Sequence, residues 1–198
     1  PMLWLGFVAH TVYQFLFVLG LARTRAANAA LIMALTPVFA YMIGVFARRE
    51  RFSKAVLGGI VLSLLGVSAI VILGLDGVEL GGTWRGDLML IGSAFCWGWY
   101  SAESANMLAI YGALRVTVLT IIIGSSLLIP LSIPWLLRQN WSAIEPAAWL
   151  ALGYSSLLST VYAYSMWAYA LGEIGVAHTA IFNNLTPIVA LFAGWIML

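Results

Sequence analysis

The chain alternates long apolar runs with short polar breaks. Seven mostly apolar runs can be marked, and they lie at about 3–22, 26–47, 54–75, 87–109, 114–137, 147–171 and 175–198. A helix needs about 20 such residues to cross the hydrocarbon core of a bilayer, and each run is close to that length. The pattern therefore predicts an all-α fold of seven transmembrane helices.

The composition excludes a water-soluble domain. Hydrophobic residues make up 63% of the chain and charged residues only 8%, whereas a soluble domain has about 25% charged residues. The net charge is only +2 and the basic residues lie in the breaks, so nucleic acid is not expected as a partner. We predict an integral, multi-pass protein of a cell inner or plasma membrane, surrounded by lipid.

A short motif occurs twice in the chain. Leu35-Thr36-Pro37 returns as Leu185-Thr186-Pro187, and the same superposition aligns Ala27 with Ala177, Ala30 with Ala180, Ala40 with Ala190 and Gly44 with Gly194. The copies lie in the second and seventh predicted spans, five spans apart. An odd number of spans per unit makes the second copy cross the membrane in the opposite direction, as in the inverted repeats of secondary transporters. We expect a first unit at 1–75, a connecting loop at 76–86 and a second unit at 87–198.

Prolines inside the spans predict bends. Pro37 and Pro187 lie at equivalent places of the two copies, well within their apolar runs. Proline removes one backbone hydrogen bond and its ring presses on the carbonyl one turn back, so each of these helices is expected to bend there.

Charge indicates an orientation. The densest positive cluster lies between the second and third spans and consists of Arg48, Arg49, Arg51 and Lys54. Loops rich in Lys and Arg stay in the cytoplasm. The breaks that carry Arg85 and Arg138 are then expected on the outer side.

Several motifs follow one another in a characteristic order. They are the small-residue run 26–30, Leu35-Thr36-Pro37, the loop Glu50-Arg51-Phe52-Ser53, Gly58-Gly59 and Leu65-Gly66-Val67. This order resembles the EamA-type signature of the drug/metabolite transporter superfamily, with Arg49 where the family pattern has glycine. The run 176–180 and Leu185-Thr186-Pro187 are similar to a second copy.

The resemblance implies a larger architecture and an activity. Members of this family have ten helices in two inverted repeats of five, and both of their termini are cytoplasmic. By this likeness the chain is a fragment that lacks the first two helices and the last. Family members export amino acids, metabolites or drugs through a central cavity.

Polar and aromatic side chains at mid-depth are the candidate substrate ligands. Polar groups are costly in lipid and usually face the bundle interior. Thr179 and Asn183 share a helical face, and Asn183 lies at the depth of tyrosines on the preceding span. The predicted substrate-binding residues are Asn183, Tyr164, Tyr162, Trp167, Thr179, Trp97, Tyr100, Gln14 and Tyr13. The alternative is that the polar groups only join helices by hydrogen bonds and that the aromatic residues only pack.

Ionisable residues inside the spans are candidates for proton coupling. Glu103 is the one carboxylate well inside a span, so it is the candidate proton carrier. Alternatively, it reaches the membrane interface or pairs with Arg115. His10 and His178 could titrate or form hydrogen bonds, and His178 is close to a turn, which favours an exposed or capping role.

The sequence predicts a transporter that exports small, amphipathic solutes by alternating access. A non-transporting scaffold or sensor is the alternative, and a homo-oligomer is compatible with both. An intramembrane serine protease is disfavoured because Ser155 and His178 lie at different depths. Cys96 is expected to behave as a small hydrophobic residue, and neither a cofactor nor a metal is expected.

Overall fold

The computed structural model of the chain describes residues 2–48, 50–73, 84–185 and 189. All regular elements in these ranges are helical, with two 3₁₀ turns at Trp141–Ala143 and Phe182–Leu185. The helices are α1 Met2–Leu21, α2 Ala26–Met33, α3 Thr36–Phe46, α4 Lys54–Leu73, α5 Trp84–Tyr111, α6 Ala113–Leu136, α7 over 146–174 and α8 Val176–Ile181. The first six predicted spans are confirmed to within a few residues. Half of the seventh predicted span, residues 186–188 and 190–198, lies outside the described residues.

The second predicted span is divided at its proline. α2 ends at Met33 and α3 begins at Thr36, with Pro37 in the first turn of α3. Proline is favoured in a first turn because the amide hydrogen that it lacks would have no partner within the helix there. The helix is thus interrupted where the bend is predicted in this copy, whereas Thr186 and Pro187 of the second copy lie outside the described residues.

Two helices contain wide π-helical turns. One covers Phe7–Val12 in α1, where the amide of Tyr13 bonds to the carbonyl of Val8, five residues back. The other covers Ser155–Tyr162 in α7. A π turn inserts an extra residue into the helical register and is often found at functional sites. Both turns therefore change which side chains face the bundle interior.

Helix α5 lies at the centre of the bundle. It packs against α1, α2, α3, α6, α7 and α8. Its buried face follows helical spacing and includes Leu90, Ala94, Trp97, Ser101 and Ser104. It crosses α3 closely, because a Cβ at Gly98 would lie 2.8 Å from the backbone nitrogen of Ala40. Small residues thus allow backbone contact between neighbouring helices.

The outward faces of the bundle are apolar. Leu150 is 78% exposed on α7 and Ile122 is 59% exposed on α6. Broad apolar exposure of this kind marks a surface that contacts lipid. Among the described residues, Met2–Leu21, Ala27–Phe46 and Ala113–Leu136 are helical stretches long and apolar enough to cross a membrane, judged by length and composition.

Candidate functional site

A cluster of aromatic rings is centred on Trp97. This ring lies 5.2 Å, centroid to centroid, from each of Tyr13, Tyr100 and Tyr164, and 5.8 Å from Trp167. Its side chain is only 7% exposed. Aromatic pairs at such separations contribute about 0.5–1.5 kcal/mol each beyond the burial of their area. We call these five residues together with His10 the aromatic cluster.

His10 completes the cluster on the side of α1. Its ring centroid lies 5.3 Å from that of Tyr164 and 5.9 Å from that of Tyr100. The residue is 5% exposed, and its Nε2 has no hydrogen-bond partner among the described atoms. The indole Nε1 of Trp167 is in the same situation. A buried polar atom without a partner costs about 1–3 kcal/mol, so both nitrogens are candidates for contact with a ligand group.

Each of three helices supplies two members of the cluster, three residues apart. The pairs are His10 and Tyr13 on α1, Trp97 and Tyr100 on α5, and Tyr164 and Trp167 on α7. Residues at this spacing lie on neighbouring turns of one helix face. Helix α1 belongs to the first predicted unit, whereas α5 and α7 belong to the second. The cluster therefore lies at the predicted junction between the two units.

The cluster offers two kinds of interaction to a small molecule. The ring faces attract apolar groups and organic cations. The indole nitrogen of Trp167 is a donor only, so it needs an acceptor such as a carboxylate or a carbonyl oxygen. The Tyr100 side chain lies beside the Thr120 side chain of α6. This arrangement suits an amphipathic solute with a polar end and an apolar or cationic end.

The structure brings together five of the nine predicted substrate ligands. They are Tyr13, Trp97, Tyr100, Tyr164 and Trp167. Their contact with a substrate stays a prediction.

The other four predicted ligands are not part of the ring contacts that define the aromatic cluster, and the side chain of one of them is not described. Tyr162 is 61% exposed on the outside of α7. The Thr179 hydroxyl donates to the carbonyl of Gly175 at 2.7 Å, within its own chain segment. Gln14 is half-buried on α1. Asn183 belongs to the turn Phe182–Leu185, and its side chain lies outside the described part of the structure.

His10 was not among the predicted ligands, although the sequence holds a signal for it. It precedes Tyr13 by three residues, the same spacing as in the other two pairs of the aromatic cluster. Glu103 lies on α5, three residues beyond Tyr100, and is half-buried. The role of Glu103 in proton coupling stays a prediction. Within the described residues, no group of three or more His, Cys, Asp or Glu side chains is placed to hold a metal ion.

A family comparison decides the class of the protein. The model of the EamA-like transporter family matches residues 1–72 and 84–198. The chain belongs to the EamA-like transporter family. It is a polytopic helical membrane protein, and EamA-like relatives named as transporters match it over nearly its whole length.

Three of these relatives show how similar the chain is to proteins named as transporters. The "Uncharacterized transporter YyaM" of Bacillus subtilis is 27% identical over 94% of the chain and 62% of its own length. The "Probable terminal-alkyne amino-acid exporter" of Streptantibioticus cattleyicolor is 26% identical, over 98% of the chain and 63% of its own length. The "Probable amino-acid metabolite efflux pump" of Salmonella typhimurium is 25% identical, over 94% of the chain and 64% of its own length. The chain thus spans less than two thirds of the length of these relatives.

A solved structure shows the same fold. It superposes with a TM-score of 0.80 over 98% of this chain and 68% of its own chain, at 19% sequence identity. This likeness supports the helical architecture of the EamA-like chain.

Proposed function

We propose that the complete protein exports small amphipathic solutes, amino acids or related metabolites or drugs, across the membrane. The observation that carries the proposal is the aromatic cluster, which combines ring faces with two buried nitrogens that have no partner among the described atoms. A zwitterionic or amine-bearing solute with an apolar side chain matches both parts of the cluster. Two relatives named as exporters of amino acids or their metabolites support this choice of substrate.

Alternating access is the proposed mechanism, and the two predicted units would rock against each other. A polar contact joins them at one end of the bundle. The Thr24 hydroxyl donates to the carboxylate of Asp87, and the amide nitrogen of Asn28 lies 3.5 Å from the same oxygen. Nearby, a Cβ at Gly86 would lie 2.9 Å from the carbonyl oxygen of Gly20. In the predicted orientation this is the outer end, and we call these contacts the outer contact.

A second close approach between the predicted units lies at the opposite end. The side chain of Glu50 packs on Gly44, and its Oε1 lies 3.6 Å from the position of a Cβ at Gly175. Gly175 precedes α8 and has a φ of +81°, a conformation that favours glycine. We call this the inner contact. A transport cycle would open the two contacts in turn, with the aromatic cluster between them.

A thermal-shift screen of the full-length protein tests the proposed function. Amino acids, nucleosides and cationic drugs are added one class at a time, and a ligand that binds the folded state raises the melting temperature. We expect the stabilising ligands to be amphipathic amino acids or amines. The shift should be lost in Trp97→Ala and kept in Trp84→Ala, because Trp84 is 59% exposed. Equal shifts in both variants would show that the aromatic cluster is not part of the binding site. If no class of ligand shifts the melting temperature, a scaffold or sensor is favoured.

Glu103 is the proposed proton carrier of the transporter. Glu103→Gln keeps the size of the side chain but cannot release a proton, so the pH dependence of uptake into proteoliposomes should be lost. The control is Glu145→Gln, which replaces an exposed carboxylate and should leave the pH dependence of uptake intact. A Glu103→Gln protein with an unaltered pH profile would exclude the role.

A further inference from the structure

Helices α1 and α6 touch through their backbones beside the aromatic cluster. A Cβ at Gly124 of α6 would lie 2.2 Å from the Cβ of His10 and 2.6 Å from the carbonyl oxygen of Gly6. Real Cβ contacts are never that short, so the present packing accepts no side chain at position 124. The contact continues along both helices, because a Cβ at Gly6 would lie 2.8 Å from the carbonyl oxygen of Thr120.

A buried hydrogen bond fixes the register of this crossing. The Thr11 hydroxyl donates to the carbonyl oxygen of Gly124 at 2.9 Å, across 113 residues of sequence. Thr11 is 2% exposed, so water does not compete for the bond. Thr11 directly follows His10, and both lie in the π turn Phe7–Val12.

The π turn and the crossing together determine where the His10 imidazole lies. A π turn is less stable than the regular helix and persists where surrounding contacts hold it. Here Gly124 meets the turn at His10 and Thr11 from the α6 side, and the imidazole then faces Tyr100 and Tyr164. On the same helix α6, the side chain of Thr120 lies beside that of Tyr100. Helix α6 contributes no ring to the aromatic cluster, yet it contacts two of its members.

We infer that Gly124 and Thr11 are positioning residues that set the location of His10 in the aromatic cluster and thereby determine ligand preference. This inference rests on the proposed function, since the cluster has a ligand only if the protein binds one. Neither residue has to touch that ligand. Gly124 acts because it has no side chain, and Thr11 acts through its hydrogen bond to the carbonyl oxygen of Gly124.

The first experiment measures the position of His10 without any ligand. The full-length protein, in lipid nanodiscs, is labelled with ¹³C,¹⁵N-histidine, and the His10 ring signal is assigned by its loss in His10→Gln. Ring currents of the two tyrosines make this signal sensitive to a displacement of the imidazole. We expect it to shift in Gly124→Ala and in Thr11→Val, and to return in Thr11→Ser, which keeps the hydroxyl.

Matched controls separate positioning from a general loss of packing. Gly153→Ala also adds a methyl group to a helical glycine, but no described atom lies within 4 Å of that position, so the His10 signal should stay in place. Thr11→Val nearly conserves volume, which keeps the test available if Gly124→Ala fails to fold. A folded Thr11→Val protein with an unmoved His10 signal would overturn the inference.

The second experiment asks whether the position of His10 affects binding. The probes are L-phenylalanine and phenethylamine, which differ in the carboxylate, and the ratio of their dissociation constants is measured by calorimetry on the full-length protein. Loss of one hydrogen bond corresponds to about a three- to tenfold change in this ratio. We expect such a change in His10→Ala, in Gly124→Ala and in Thr11→Val, with no further change when Gly124→Ala is added to His10→Ala.

The outcomes separate the proposed ligand site from the positioning of His10. If neither probe binds, or if His10→Ala leaves the ratio unchanged, the proposed ligand site fails, and the histidine signal still decides whether Gly124 and Thr11 position His10. If His10→Ala changes the ratio while folded Gly124→Ala and Thr11→Val do not, the proposed site stands and the inference is overturned.

Discussion

At the scale of single residues, buried polar groups differ in how their hydrogen bonds are satisfied. The hydroxyls of Ser93, Thr120 and Thr179 donate to carbonyls of their own segments at 2.7 to 3.0 Å. His10 Nε2 and Trp167 Nε1 lack a partner among the described atoms. Because a hydroxyl that bonds within its own helix is already satisfied, it adds little to a binding site. Within the aromatic cluster, the two ring nitrogens are therefore the candidates for polar contact with a ligand.

Tyr41 provides a prediction about stability. It is 1% exposed, and its hydroxyl accepts from the amide of Ser53 at 2.7 Å and donates to the Ser53 carbonyl at 3.2 Å. Tyr41→Phe removes both bonds and should destabilise the protein by about 1–3 kcal/mol. Hydrogen exchange at the start of α4 should become faster, because these bonds join α3 to the loop before α4. The control is Tyr169→Phe, at a site that is 57% exposed, where neither stability nor hydrogen exchange should change. Equal exchange rates in the two variants would show that the Tyr41 hydroxyl does not hold the start of α4.

At the scale of helices, glycines determine how closely the elements approach. Gly98 of α5 faces Phe39 and Ala40 of α3, and a Cβ there would lie 2.8 Å from atoms of both residues. The lengths of the helices follow from their apolar runs, whereas the distances between them follow from these glycines.

Gly98→Ala tests the close crossing of α3 and α5. The new methyl group meets backbone that cannot move freely, so we expect a loss of about 1–3 kcal/mol and a lower melting temperature in detergent. The control is Gly172→Ala on α7, where no described atom lies within 4 Å. There the change should stabilise the helix by up to about 1 kcal/mol, because alanine is the better helix former. A similar melting temperature for both variants would show that the α3–α5 crossing tolerates a wider spacing.

Helix positions could be predicted from the sequence, but the faces of α7 could not. Apolar length and Pro37 are local signals, and they predict the spans and the place where the second span is interrupted. The sequence predicts Tyr162 and Tyr164 together as ligands because they lie at similar depth. Residues two apart point about 200° from each other around a helix, so only one can face inward. The π turn that ends at Tyr162 shifts the register, and it places Tyr164 in the cluster and leaves Tyr162 exposed.

At the scale of the whole molecule, the predicted units meet at three levels. The outer contact, the aromatic cluster and the inner contact lie along the interface, and in this structure both end contacts are formed. The cluster could be predicted in part from the types of its residues. The end contacts could not, because Asp87 and Glu50 meet partners 63 and more than 100 positions away in the chain. An alternating-access cycle requires that each end contact can separate.

Cross-linking the outer contact tests whether it must open. After Cys96→Ala removes the native thiol, the pair Thr24→Cys and Asp87→Cys is joined by a short, reducible bifunctional thiol reagent in the full-length protein. We expect transport to fall at least tenfold and to recover on reduction, because the link holds α5 to the turn between α1 and α2.

The control pair is Trp141→Cys and Trp149→Cys, whose rings lie 6.1 Å apart within the second predicted unit. Cross-linking this pair should leave transport unchanged, since both residues would move together as the units rock. Each single cysteine variant, treated with the same reagent, corrects for the effect of modification alone. Undiminished transport by the Thr24–Asp87 cross-linked protein would mean that the outer contact stays closed during the cycle, and rocking of the two units at this end would have to be abandoned.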